Sequence, residues 1–270
     1  MRILLTNDDG FNSEGIQILE KVLCSYGHEV LVLAPSTQQS ATSHCITIRN
    51  GVQITSYGEN HYHLLGTPAD CILYGQRTGL ISSKDIDMVI SGINEGSNVS
   101  SDILYSGTLG AARQAVLEGF KAIAISCSPK GMDYTTGIFA YEEAAIFTAE
   151  HLEEFKDLCS SNSLVNINVP NDANGEWLPC GLSFINYHDR AVFDNDIDLD
   201  TLKNNIGTSI NVKLTVDPSN LPTIDRNFST IYTDFEALES NKISVSVLTV
   251  LSNLSTLHQD LMNLVGGNVE

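Results

Sequence analysis

Apolar residues in the first half of the chain fall into short unbroken runs that alternate with helical spacings. Residues 3–6 form the first run, which stops at Asn7-Asp8-Asp9-Gly10. Ile16, Leu19, Val22 and Leu23 then recur at the spacing of an amphipathic helix. Residues 30–34 form a second run, closed by Pro35, and residues 87–90 a third, ending at Ser91-Gly92. An Ala-rich helix is predicted over 108–118, a strand over 122–126, a helix over 139–155 and a strand over 164–169. Strands without a polar face, alternating with helices, predict an α/β fold: a parallel sheet covered on both sides.

After Pro170 the pattern changes. Residues 171–175 are rich in turn formers, and 209–214 and 243–247 alternate apolar with polar. Period-two alternation predicts antiparallel strands with one wetter face. A terminal helix is predicted over 254–265, with Leu254, Leu257, Leu261 and Val265 on one side. The acidic stretch 194–200 lacks calcium-loop spacing and reads as a solvated loop.

Charge narrows the partners. Fourteen Lys+Arg against 33 Asp+Glu give a net charge of −19, which disfavours a nucleic-acid duplex or an anionic membrane. No window approaches a membrane span and the N-terminal apolar run is too short for a signal peptide, so a cytoplasmic location is expected. Six dispersed cysteines show neither CxxC pairs nor zinc spacing and read as reduced, small hydrophobes. An anionic substrate would need a local device to overcome the acidic field, either a metal ion or a helix N-terminus.

Four polar segments follow predicted strands and would converge on one sheet edge. Asn7-Asp8-Asp9-Gly10 offers two adjacent carboxylates, which suit a hard divalent cation and equally a helix cap with a turn. Ser91 to Asn98 offers glycines for close approach and two asparagines, or simply a turn. Tyr105-Ser106-Gly107-Thr108 opens the Ala-rich helix, as a phosphate cradle or an ordinary cap. The stretch 38–43 places Ser40 where a hydroxyl can complete a metal shell. His44, His61, His63 and His188 qualify for acid–base work by residue type only, and Asp70 reads as a helix cap.

Together these residues resemble the SurE family of stationary-phase survival proteins, metal-dependent 5'-nucleotidases. The resemblance rests on residues 1–10 with Gly15-Ile16, on Val32-Leu33-Ala34-Pro35 with Ser40, and on Gly66-Thr67-Pro68-Ala69-Asp70-Cys71. It continues in Ser91-Gly92-Ile93-Asn94, Gly96, Asn98 and Tyr105-Ser106-Gly107-Thr108. Weaker markers are Asn166 to Pro170 and Thr233-Asp234. The resemblance implies one domain: a Rossmann-like catalytic core over 1–170, then a β-rich extension with a terminal helix over 171–270, used in dimerisation. It implies hydrolysis of nucleoside monophosphates, with polyphosphate as an additional substrate, in a homodimer or homotetramer. One divalent ion, Mg2+ or Mn2+, would be held by Asp8, Asp9, Ser40 and Asn94, with Asp8 and Asp9 catalytic. Asn98, Ser106, Gly107 and Thr108 would lie beside the phosphate.

The chain also departs from that family. Ser36-Thr37-Gln38-Gln39-Ser40-Ala41 stands where the family often has Asp-Arg-Asn-Arg-Ser-Gly, so two arginines and a glycine are missing. Ala112-Arg113-Gln114-Ala115 stands where Ala-Met-Glu-Gly is common. These changes raise the alternative of a catalytically weak or inactive nucleotide-binding relative with a structural or regulatory role. A third reading is a sugar-nucleotide transferase using the acidic pair. The Ser91–Asn98 and Tyr105–Thr108 blocks do not suggest it.

Overall fold

The computed structural model describes residues 1–129, 137–193, 199–204, 206–207, 209–215, 223–225 and 231–251. The buried run at the N-terminus becomes β1 (Arg2–Thr6), followed by α1 (Glu14–Ser25) and β2 (Glu29–Pro35). A hairpin, β3 (Gln53–Gly58) and β4 (His61–Leu65), leads into α2 (Pro68–Thr78). Then come β5 (Met88–Glu95), a 3-10 helix (Ser100–Leu104), α3 (Gly107–Leu117) and β6 (Ala122–Ser128). The crossover α4 (Tyr141–Glu150) and α5 (Leu152–Leu158) returns to β7 (Ser163–Pro170).

Beyond β7 lie β8 (Trp177–Pro179), β9 (Phe184–Asn186), β10 (Arg190–Phe193), α6 (Leu199–Asn204), β11 (Val212–Thr215) and β12 (Thr223–Asp225). The described chain ends with α7 (Asp234–Glu239) and β13 (Ile243–Thr249). The helix predicted over 254–265, and residues 194–198 of the acidic stretch, lie outside the described residues. Asp200, at the end of that stretch, belongs to α6.

Nine strands form the central sheet in the order β3-β4-β2-β1-β5-β6-β7-β13-β8. From β4 to β7 all neighbours are parallel, while β3 and β13 pair antiparallel. Alternation along β1 shows why its run is apolar throughout. Ile3 and Leu5 pack with α1, α4 and α5 residues such as Leu19, Ala145 and Phe155 on one face. Leu4 packs with Ile72 and Ala112, from α2 and α3, on the other. Ala111, Ala112 and Ala115 are fully buried, and their small side chains let α3 lie close to the sheet.

The chain proceeds from β1 to β2 and β4 in one direction, then from β5 to β6 and β7 in the other. The order therefore reverses between β1 and β5. Such a reversal opens a crevice at the carboxyl ends of the strands, where ligands bind in open α/β sheets.

Several elements differ from the sequence expectation. β5 does not stop at Ser91-Gly92 but runs to Glu95, so Ser91 to Glu95 belong to the strand rather than to a following loop. Its ladder to β6 slips between Ser91 and Asn94, a bulge that re-aims the strand end. Gly92 sits in this bulge at φ 141°, and a Cβ there would lie 2.2 Å from the Ile125 carbonyl oxygen. The helix expected over 139–155 is two helices. At His151 the backbone leaves helical dihedrals, and the ring Nδ1 stands 3.0 Å from the Phe147 carbonyl. β11 begins only at Val212, because its partner β10 supplies four residues. β13 is antiparallel to β7 as expected but parallel to β8, and it lies inside the main sheet between them. The face expected to be wet is buried there, with Ser244 0% and Ser246 2% exposed.

Asp70 is not the cap of α2. Thr67 is, its side chain accepting from Asp70 N, with Asp70 completing a capping box from the third helical position. The buried Asp70 carboxylate also accepts from Thr47 N at 2.7 Å and Thr47 Oγ1 at 2.8 Å. It thereby pins the segment leading away from Ser40. Asp70→Ala leaves the amides of Thr67 and Thr47 and the Thr47 hydroxyl without an acceptor. The expected loss is about 3 kcal/mol of unfolding free energy, read by urea denaturation.

Candidate active site

Asp8 and Asp9 follow β1 directly, at the crevice where the strand order reverses. The turn that carries them is shaped by the buried Asn7. Its Nδ2 donates to the Gly10 carbonyl at 2.9 Å and to Ser13 Oγ at 2.7 Å, while its Oδ1 accepts from Gly10 N. Asp8 is 3% exposed. Its carboxylate faces the start of α3: Thr108 Oγ1 donates to Oδ1 at 2.5 Å, and the amides of Gly107 and Thr108 also donate to it. A Cβ on Gly107 would stand 2.9 Å from Asp8 Cβ, so only glycine fits this contact. Ser106 caps α3 by accepting from Leu109 N.

Asp9 is half-buried, and its Oδ2 accepts from Glu95 N at 3.0 Å, joining the end of β1 to the end of β5. Asn94, one residue earlier, donates from Nδ2 to the Gly96 carbonyl at 2.7 Å, which leaves Oδ1 as its ligating atom. The loop after β2 is drawn in by Gln39 N, which donates to the Asp8 carbonyl at 2.6 Å. Ser40 is the next residue. Ala41 takes φ 58°, the left-handed conformation that favours glycine. Farther along, Ser43 Oγ donates to the Leu104 carbonyl, and His44 Nε2 lies 2.8 Å from Gln114 Oε1.

Burial raises the proton affinity of both carboxyls. At Asp8 desolvation outweighs the donors that oppose it. At Asp9 desolvation, then repulsion from Asp8, then Glu95, push the value up to about 7. A pair of carboxylates held at this cost is suited to a hard cation, which lowers both affinities at once. Among the described residues no three His, Cys, Asp or Glu side chains converge as a metal cluster, so the available donors are this pair and neutral oxygens.

The sequence-predicted residues separate into groups. Asp8, Asp9, Ser40, Asn94, Ser106, Gly107 and Thr108 lie at the same edge, but the Thr108 hydroxyl is committed to Asp8. Asn98 is directed inward. Its Nδ2 donates to Ser126 Oγ at 2.8 Å, and its backbone is gripped by Asn166 and Asn168. His61 pairs with Glu20 and His188 contacts Thr223. His63 packs against Phe11 and Tyr57.

A cleft of about 470 Å³ beside Asp9 is lined by Glu14, Gln38, Glu95, Phe139 and Tyr141, among others. Glu95 was within reach of sequence reasoning, because it follows Asn94. Phe139 and Tyr141, stacked at 5.6 Å, carry no motif and arrive only because the crossover after β6 also opens at this edge.

The family model for Survival protein SurE matches residues 3–189. The chain is 39% identical over 195 residues to the 5'-nucleotidase SurE of Pseudothermotoga lettingae, covering 70% of this chain and 72% of that protein. It is 42% identical over 171 residues to the 5'-nucleotidase SurE of Treponema pallidum, covering 63% and 90%. The crystal structure of the SurE protein from Aquifex aeolicus superposes with a TM-score of 0.73 at 25% identity, covering 98% of this chain and all of that one.

Two predictions follow from the acid pair. Thr108→Val removes a side-chain donor to Asp8 and is expected to weaken Mn2+ binding roughly tenfold by calorimetry. Loss of phosphate affinity alone would return Thr108 to the phosphate. In metal-free protein Asp9 moves from 3.8 to about 7 on folding, so the folded state holds the extra proton between those values. The associated stabilisation is present below the unfolded value and lost as pH rises through 7. Wild type should therefore lose stability relative to Asp9→Asn between about pH 4 and 7 in chelator, measured by denaturation. Saturating Mg2+ should abolish the difference.

Proposed function

The chain belongs to the SurE family, and from that membership we propose a divalent-metal-dependent 5'-nucleotidase that hydrolyses nucleoside monophosphates to nucleoside and phosphate. The observation that carries this reading is the buried Asp8–Asp9 pair, held at the sheet's crevice against the start of α3. Asp8, Asp9, Ser40 and Asn94 would hold one Mg2+ or Mn2+. Held there, such an ion would supply Lewis-acid polarisation of a phosphate oxygen and a more acidic water.

The remaining work falls to the chain itself. Ser106 and Gly107 present the N-terminal dipole of α3 toward the phosphoryl group, and Thr108 and the α3 amides fix the Asp8 carboxylate. Asp9, the less buried acid, takes the proton of the attacking water. Trapping an aspartyl-phosphate on Asp8 or Asp9 would replace this water mechanism with carboxylate attack. The nucleoside occupies the adjoining cleft, against Phe139. Asn98 supports the phosphate side from beneath.

Polyphosphate is a further substrate in this reading, and the cytoplasm, where thiols remain reduced, suits six free cysteines. Among the described residues no helix is long and apolar enough to cross a membrane. We assign residues 1–170 to catalysis and 171–270 to assembly as a homodimer or homotetramer. Exposed Val192, Phe193, Val212 and Leu214 on the β10–β11 pair support that assignment. The inactive-relative alternative is not favoured, because the acid pair and its neutral donors are all present.

Phosphate release from a panel of nucleoside 5'- and 3'-monophosphates, first with EDTA and then with Mg2+ or Mn2+, tests the activity. Release is expected only with metal. Asp8→Asn should lower turnover by about a hundredfold or more while the fold persists. Wild-type turnover in that variant would remove Asp8 from the site. Nucleotide binding without release under any metal would favour the inactive relative.

A further inference from the structure

α3 carries one cationic side chain, Arg113, which the acid pair does not use. Arg113 is half-buried and has no ion-pair or hydrogen-bond partner among the described residues, in a chain with 33 acidic residues. Its guanidinium is penalised by desolvation with no carboxylate to compensate. It lines a recess of about 250 Å³ between α3, the 3-10 helix at Ile103, the turn after β8 and the end of β13.

The wall of the recess is unusual in the same respect. Ser246 lines it, is 2% exposed, and its hydroxyl has no partner. Ser246 stands opposite Asn166 across the β13–β7 ladder, and Asn166 Oδ1 is also unpartnered. Ser244, two residues before Ser246 on the same face of β13, carries a second buried hydroxyl, which stands beside the Cys180 thiol. Buried polar groups are normally satisfied, so Ser246 and Asn166 on one sheet face, beside an arginine with no partner among the described residues, mark a place built for a polar guest.

We infer that this recess binds a small oxyanion between Arg113 and Ser246, at a site separate from the acid pair. A guanidinium offers a fork of donors matched to carboxylate or phosphate oxygens. The volume admits an ion of a few heavy atoms. If the proposed nucleotidase reading holds, inorganic phosphate is the oxyanion that the reaction itself releases. The recess also touches the catalytic edge through one residue. Asn166, behind Ser246, donates from Nδ2 to the Asn98 carbonyl at 2.9 Å.

The test is calorimetric titration of metal-stripped full-length protein with inorganic phosphate and, separately, acetate, at matched ionic strength. Binding of either anion is expected, and the tighter one identifies the source as phosphate or carboxylate. Arg113→Met should weaken binding by roughly tenfold or more, and Arg113→Lys by less, because lysine keeps the charge but not the fork. Ser246→Ala should weaken it several-fold. If Arg113→Met does not fold, Arg113→Lys and Ser246→Ala carry the test. Failure of wild type to bind either anion, or undiminished binding in the Arg113 variants, overturns the inference. The readout needs no hydrolysis: an inactive protein that binds phosphate through Arg113 would refute the nucleotidase and keep the site.

Discussion

Two adjacent carboxylates, forced out of water at the end of a buried strand, set the terms for everything around them. Asp8 is tolerated because α3 begins against it, delivering backbone amides and the Thr108 hydroxyl to one carboxylate. That contact explains the glycine at 107, the serine cap at 106 and the small residues that seat α3 on the sheet. Asp9 receives less help and keeps a proton affinity near neutrality. The unfavourable electrostatics of the pair is the driving force by which a cation would be captured.

The same contact reconciles an acidic protein with an anionic substrate. The field of the whole molecule is repulsive, and the loop after β2, Ser36-Thr37-Gln38-Gln39-Ser40-Ala41, brings no cation to the site. Attraction must then be local and neutralised by a metal ion, with the α3 dipole behind it. The loop itself is stitched from several directions. Gln39 binds the Asp8 backbone, Ser43 binds Leu104, His44 meets Gln114, and Asp70 holds Thr47. Gln114, through its contact with His44, braces that loop from α3.

Much of this was legible in the sequence because it depends on short-range chemistry. The two-faced apolar runs named β1, β2, β6 and β7 correctly, and the polar segments at the ends of β1, β2 and β5 lie at one edge as parallel strands require. What escaped depends on partners far along the chain. The extension of β5 to Glu95 follows from pairing with β6, which a glycine-rich stretch does not announce. Thr67 and Asp70 exchange roles within one capping box, and the difference is three residues of geometry. The Thr108 hydroxyl looks like a phosphate donor until Asp8, one hundred positions away, is seen to accept from it. β13 alternates like a surface strand, yet β8 and β7 enclose it and its serines become interior.

α3 spans eleven residues, too few to bend appreciably, and it touches three different places. Its first turn abuts Asp8, Gln114 braces the Ser40 loop, and Arg113 borders the recess five residues beyond Thr108, or about 7.5 Å along the axis. The clearance at Gly107 is less than the width of a methyl group. The recess and the acid pair therefore share one short, closely seated support, and a guest that repositioned Arg113 would press on the same helix whose first turn holds Asp8.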